Sequence, residues 1–410
     1  MRIWLATVGE PLPIDEGGQR LLRTGQFAAW LAARGHEVVF FTGTMDHHQR
    51  RLRADETTVH EVSPNYRIVA LAGRLYTRTI SFARFRNHAD VARSFRAFAP
   101  SLPLPDVVLA SYPTEELCRA ILDLCQPHDV PVAIDVRDFW PDIFSEMLPG
   151  PLKPLGPLVF RPFERSAGRT LARADALSGM TESAMKWAVR KAGRGRRDED
   201  FWFPFSYRRR TAPLSSPAPH DGLRVCFLGT LSHRSNLEML VDAFRILSES
   251  GGHDARLTIC GSGEAEFDLR KRAAGAVNIE FRGWLAADQL DAVMRASDLG
   301  ALPYNRPDFH MSIPNKCVEY LAGGLPVVSC TEGEVRTLLA SRDCGIWTPA
   351  DARETASALA DLAGRPGRLR EMKANAMQVF DDTFEENIVF ERALRHLEAL
   401  LPGSHAEIAG

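Results

Sequence analysis

No cysteine in this 410-residue chain has another two residues away, and the seven that occur are scattered and odd in number. That pattern signals neither a disulfide framework nor a zinc site and points to a reducing compartment. No apolar run approaches roughly 18 residues, so no segment is expected to span a bilayer. The opening MRIWLATVGEPLPID has no apolar stretch ending in a small-residue cleavage site, so no secretory signal is read and a cytoplasmic location is expected. A one-signed charge excess is also missing. The formal net charge is −2, which leaves no global basic field for nucleic acid. No GxSxG nucleophile elbow and no repeat with a period of 20 to 50 residues is present. What the chain does have is a soluble globular balance, 45% hydrophobic and 25% charged. Its length exceeds what one core serves well, so two domains are expected.

The two halves share one grammar. RIWLATVG reads as a buried strand. A Gly/Pro-rich loop follows, then the helical spacing of LLRTGQFAAWLAARGHE and a second strand, VVFFTG. The second half begins again with LRVCFLGTL, a polar loop SHRSN, the amphipathic LEMLVDAFRILSES and the strand ARLTICGSG. Each is a βαβ unit opening a parallel sheet, so the expected class is α/β with two Rossmann-like domains. Further short strands are read at 106–111, 130–138, 278–285 and 299–304. The boundaries expected are 1–207 and 222–384, joined by a Pro/Ser/Ala-rich linker at 208–221. Open parallel sheets bind ligands at the carboxyl ends of their strands, so the loops GEPLPIDEGG and HMSIPNK are the candidate ligand loops.

The second of these loops runs into SIPNKCVEYLAGGLPVV, residues 312–328. Ser312 can cap a helix, Pro314 suits its first turn, and Gly323 or Gly324 ends it. Lys316 and Glu319 then share one face. A cation at a helix N-terminus has the wrong sign for the helix dipole, unless a phosphate lies between them. Glu319, one turn deeper, can accept from vicinal hydroxyls. A diphosphate beside a ribose fits both, and an i, i+3 ion pair on a solvated helix is the plain alternative. The apolar neighbours Val318, Tyr320 and Leu321 argue against a solvated face.

With GEPLPID, DVRDFWPDIF, GTL and GSG in the same order, this stretch resembles the GT-B glycosyltransferases of family 4, and within them the bacterial polysaccharide-assembly subgroup. The resemblance runs over nearly the whole chain. It implies a nucleotide-sugar donor in the C-terminal domain, an acceptor in the N-terminal one, and a last helix, about 385–402, crossing back. It implies that Glu319 holds the ribose, and that backbone around Pro314, Asn315 and Lys316 holds the diphosphate. Gly229 and Thr230 would face the phosphates, Gly17 and Gly18 would close over them, and Trp284 and Leu285 would border the base. It also implies retention of anomeric configuration with no metal or other cofactor required. A UDP-sugar donor and a lipid-linked or small-molecule glycan acceptor are expected. The chain departs from the family at three points. Met311 stands where a glutamate touching the transferred sugar is usual. The loop after the first C-terminal strand offers only His233 and Arg234. Arg137 and Asp138 stand where many members have a histidine. A nucleotide-sugar epimerase of the same fold and a non-catalytic partner subunit remain as alternative functions.

Other groups carry less. Gly261 and Gly263 in CGSGEAE lack the third glycine of a dinucleotide fingerprint and read as a turn bordering the nucleotide. Asp198–Glu199–Asp200 matches a DxD metal pattern but sits in a charged run, which reads as a solvated loop. His47–His48 has no third ligand and reads as a surface or acceptor-side loop. Asp135, Arg137, Asp138 and Asp142 gather around Trp140 and serve either an acceptor or sugar contact, with Arg137 and Asp138 in catalytic positions, or a structural ion-pair network. Arg161, Arg165, Arg169 and Arg173 recur at i, i+4 and make either a solvated face or a peripheral contact with an anionic membrane, at the inner face of the cytoplasmic membrane.

Overall fold

The computed structural model describes residues 1–16, 20–47, 49–77, 81–146, 148, 150–209, 222–250 and 254–403. Contacts divide the chain into two units, Met1–Pro204 with Phe390–Gly410, and Phe205–Val389.

The first unit is built on an eight-stranded sheet. Its strands are β1 (Arg2–Ala6), β2 (Glu37–Gly43), β3 (Thr58–Ser63), β4 (Tyr66–Leu71), β5 (Val107–Tyr112), β6 (Val132–Val136), β7 (Ala176–Gly179) and β8 (Phe201–Trp202). Their order is β8-β7-β6-β5-β1-β2-β4-β3. All pair in parallel except β3, which runs antiparallel to β4 at the edge. Helices cover the faces of a parallel sheet, so its strands are apolar almost throughout. Every residue of β5 and β6 is buried. On one face Trp4, Phe41 and Phe95 pack edge to face. The other face takes the helix α1 (Arg23–Ala33), whose Phe27 meets Phe203 and Phe390 with centroids 5.4 and 5.2 Å apart. Two more helices matter below, α2 (Arg161–Arg173) and α3 (Glu182–Lys191), the latter capped by the Thr181 hydroxyl.

The second unit has six parallel strands, β9 (Leu223–Leu228), β10 (Ala255–Cys260), β11 (Ile279–Gly283), β12 (Leu299–Leu302), β13 (Val327–Ser329) and β14 (Gly345–Trp347), in the order β11-β10-β9-β12-β13-β14. The helix α4 (Leu237–Glu249) puts Leu240, Val241 and Phe244 into the core, and α5 (Asn315–Ala322) follows β12. The last helix, α6 (Glu386–Ala399), begins in this unit, and its residues from Phe390 onward pack in the first.

Strands β3, β4, β7, β8 and β14 are additions to the sequence expectation. Two of them, β7 and β8, have only four and two residues, too short for an apolar period to register. Among the described residues no helix is long and apolar enough to cross a membrane.

Candidate donor and acceptor sites

In the second unit the strand order reverses between β9 and β12, and a crevice opens at the carboxyl ends of strands at such a switch point. The loop after β9 carries Gly229, Thr230 and Arg234, and the loop after β12 runs from Pro303 to α5. Arg234 reaches across to Asp308, so the two loops meet. The loop after β10 is packed backbone on backbone against the loop after β9. Gly229 N donates to Cys260 O at 3.0 Å, and Leu231 N donates to Ser262 O at 3.0 Å. A Cβ at Gly261 would overlap the Gly229 carbonyl oxygen, and one at Gly263 the Leu231 carbonyl. These two glycines are required by that close approach. Gly261 N also donates to Gly283 O at 2.7 Å, which ties in the loop bearing Trp284 and Leu285. Trp284 is 78% exposed, an unusual state for an indole and one that leaves its face open to stack.

Helix α5 begins at Asn315, with Pro314 in the cap position and Gly323 closing the other end. Ser312 does not cap it. Its hydroxyl donates to Phe309 O at 3.2 Å, because the helix starts three residues further on. Pro314 therefore precedes the first turn. Lys316 Nζ donates to Glu319 Oε2 at 2.7 Å, so the i, i+3 ion pair exists, but Glu319 is buried at 7% exposure and the solvated-helix alternative fails for it. Tyr207 Oη donates to the other Glu319 oxygen at 3.4 Å. Tyr320 is the residue that sequence reasoning missed here. Its ring lies over Gly300 in β12 and its hydroxyl accepts from Leu228 N at 2.9 Å. That bond locks α5 against the end of β9 and so sets where Lys316 and Glu319 point. Burial raises the Tyr320 pKa well above its ordinary value.

In the first unit a buried ion network forms beside the β5–β1 reversal. Arg137, just past β6, pairs with Glu10, from the loop after β1. Glu10 also accepts from Thr24 Oγ1 at 3.1 Å and Gly25 N at 3.3 Å, so its carboxylate fills the electropositive N-terminus of α1. Arg23, wholly buried, pairs with Asp135 and donates to Phe203 O. Desolvation pushes the Arg23 pKa down to about 10, against Asp135, which raises it. Burial alone would also lower Arg137, but Glu10 and Asp135 outweigh it and raise its pKa. The structural network therefore exists for Asp135 and Arg137. Asp138 is exposed, and its charge acts on Arg137 through space, also raising its pKa. Asp142 is elsewhere, accepting from Lys191 Nζ and Trp187 Nε1, both at 2.7 Å. Trp140 packs instead against Phe85, Phe144 and His88. The sequence held no signal for Glu10 or Arg23, because the pairing joins residues 127 and 112 positions apart.

Three other expectations change or fall away. Asp200 is not solvated. It is 3% exposed and accepts from both Arg194 guanidinium nitrogens at 2.7 Å and from Leu177 N at 2.8 Å. The DED run thus ends in an anchor for β7. Gly17, Gly18 and His48 lie outside the described residues, as do residues 210–221 of the expected linker. His47 meets Tyr76 Oη at 3.0 Å, and among the described residues no cluster of three or more His, Cys, Asp or Glu is placed to hold a metal ion.

Residues 22–199 match the family model of the glycosyl transferase 4-like domain, and residues 222–365 that of glycosyl transferases group 1. Each unit thus carries a glycosyltransferase family domain, and the chain is a glycosyltransferase of GT-B architecture. An amylovoran biosynthesis glycosyltransferase, AmsK of Erwinia amylovora, is 26% identical over 189 residues, 45% of this chain and 46% of that protein. The match therefore spans less than half of this relative's length. Among solved structures, a sucrose-phosphate synthase from Thermosynechococcus elongatus superposes with TM-score 0.72 at 17% identity, covering 97% of this chain and 98% of the other. The Anabaena protein HepE, solved in complex with UDP, gives 0.63 at 14% identity, covering 97% and 100%. At these identities the likeness is one of fold.

Proposed function

We propose that the chain moves a sugar from a nucleoside diphosphate sugar, UDP being the favoured nucleotide, to an acceptor hydroxyl, with retention and without a metal. The observation that carries this reading is α5. It sets a buried carboxylate and a half-buried ammonium together at the mouth of a parallel-sheet switch point. Glu319 takes the ribose hydroxyls. Lys316 and the N–H groups of Asn315 and Lys316 take the diphosphate, and Pro314, which has no N–H, fixes the approach. Arg234 adds a second cation, and Trp284 an aromatic face for the base. When the bond from the sugar's anomeric carbon to the diphosphate breaks, negative charge grows on the leaving oxygen. Fixed cations and helix amides meet that charge, which leaves a divalent metal nothing further to do. The acceptor oxygen bonds to the anomeric carbon on the same face, and its proton passes to the departing phosphate oxygen.

In the first unit Arg137, held by Glu10, is the acceptor contact. A lipid-linked saccharide in surface polysaccharide assembly is the proposed acceptor. The amylovoran biosynthesis relative supports that direction, and the UDP bound by HepE supports the choice of nucleotide. Exposed Arg161, Arg165 and Arg169 on α2 would bring the protein peripherally to the anionic inner face of the cytoplasmic membrane. The test is product analysis with labelled UDP-sugars and a lipid-linked acceptor in excess EDTA. The label should enter the acceptor, and only when acceptor is present. Free epimerised sugar without acceptor, or turnover that needs added magnesium or manganese, contradicts the proposal.

A further inference from the structure

The chain crosses between the two units twice, at Pro204–Phe205 and at Val389–Phe390. Within the second unit the two crossing segments are paired. Tyr207 N donates to Phe384 O at 3.0 Å, and Glu386 N donates to Tyr207 O at 3.1 Å, which makes a parallel bridge between Tyr207 and Glu385. Both sides of this bridge are fixed. Before it, Phe380–Phe384 forms a wide turn in which Glu385 N donates to Phe380 O, five residues back. After it, the buried Glu385 carboxylate accepts from Asn387 N at 2.9 Å and Ile388 N at 3.1 Å and so fills the N-terminus of α6. Arg209, two residues past Tyr207, pairs with Asp381 in the wide turn at 2.6 Å.

From this seat the Tyr207 side chain reaches α5. Its hydroxyl donates to Glu319 Oε1 at 3.4 Å, while Lys316 Nζ holds Glu319 Oε2 at 2.7 Å. A buried carboxylate needs partners, and one partner on each oxygen fixes its plane as well as its position. Lys316 shares a helix with Glu319 and moves with it. Tyr207 comes from 112 positions away and supplies a hold that is independent of α5. The bond is longer than the usual O–H···O distance of roughly 2.7–2.8 Å. Tyr207 thus restrains Oε1 without exhausting its capacity to accept from a sugar hydroxyl. A glutamate free to turn must surrender that freedom when ligand arrives, whereas one already held binds without that loss.

We propose that Tyr207 is a positioning residue of the donor site. It holds the Glu319 carboxylate in the orientation that takes the ribose, from a seat built by the paired crossing segments. The proposal rests on the reading of α5 as the donor helix, and it brings into the site a residue from outside that helix.

The experiment is a double-mutant cycle of Tyr207→Phe with Glu319→Ala. It is read as donor KM and kcat with a UDP-sugar, and as the thermal shift that UDP alone produces. Tyr207→Phe removes the hydroxyl and keeps both the ring and the backbone pairing, so its melting without ligand should stay close to wild type. Its donor KM should rise roughly fivefold, as for one lost hydrogen bond of modest strength, with kcat within about twofold of wild type. Its UDP shift should shrink. Glu319→Ala leaves Tyr207 nothing to hold, so the double variant should be no worse than Glu319→Ala alone. Effects that multiply in the double variant overturn the role of Tyr207. So does a Tyr207→Phe protein with wild-type donor KM and UDP shift, or one that loses kcat with KM unchanged. In each of these cases a Glu319→Ala protein that still loses donor binding leaves the donor reading standing. A Glu319→Ala protein with wild-type KM and UDP shift overturns the donor reading and the proposal with it. Tyr207→Phe alone carries the KM prediction, so the test decides even if Glu319→Ala does not fold.

Discussion

Single residues in this protein are decided by what they pair with far along the chain. Asp200 shows it best. Its neighbours in sequence are charged and the run looks solvated, yet the fold places it under Arg194 and the Leu177 amide. Burial pushes its pKa up, but the bonds from Arg194, Arg197 N and Leu177 N outweigh burial and hold it below the usual carboxylate range. Asp200→Asn leaves the largely buried Arg194 guanidinium without its counter-charge, and should cost about 3 kcal/mol in urea unfolding. Because the native pKa is depressed, this stabilisation is complete above about pH 4 and fades as the pH falls below it. An unchanged urea midpoint at neutral pH removes Asp200 from among the anchors. His88 shows the same sign for a base. Desolvation first, and Arg84 second, push its pKa down to about 3. The unfolded chain takes up a proton near pH 6.5 that the native state refuses, so stability declines as the pH drops through that value. In His88→Phe, which keeps an aromatic against Trp140, the fall between about pH 7 and about pH 5 should be shallower than in wild type. Parallel curves for the two proteins contradict this.

At the scale of elements, the sequence was readable where local rules operate. Buried β-branched runs announced β1, β2, β5 and β6 and the strands β9 to β12, and helical spacing announced α1, α4 and α6. The start of α5 was misjudged by two residues, because Ser312 and Pro314 both carry start signals and only the loop's path decides between them. Register and loop packing were not legible. CGSGEAE gave no hint that its glycines exist to let two loops touch. Gly275 offers a contrast, with a positive φ like Gly261 but no atom within 4 Å of a Cβ. Gly275→Ala should therefore cost only backbone strain, about 1 kcal/mol. Gly261→Ala must also displace the β9 loop, and should cost about 3 kcal/mol or more while weakening donor binding. Equal melting shifts in the two variants would falsify the loop-packing account.

For the whole molecule, the order of motifs along the chain was enough to reach the GT-B architecture, because each unit repeats a local strand–loop–helix grammar. The candidate site was legible on α5, where Lys316 and Glu319 stand three residues apart. Its supports, Tyr320, Tyr207 and the Glu10 that holds Arg137, were not, since they arrive from distant strands and loops. The central claim is that one helix divides the donor between ribose and diphosphate. Steady-state donor kinetics on Lys316→Ala and Glu319→Gln, with circular dichroism as the folding control, test it most directly. If, as proposed, Lys316 faces charge that grows in the transition state, its loss should lower kcat by roughly 10²- to 10³-fold. If, as proposed, Glu319 holds ribose hydroxyls that change little during the reaction, its variant should mainly raise the donor KM with a smaller change in kcat. A Lys316→Ala enzyme that changes only in KM, or a Glu319→Gln enzyme with donor KM untouched, contradicts the placement of diphosphate and ribose on α5.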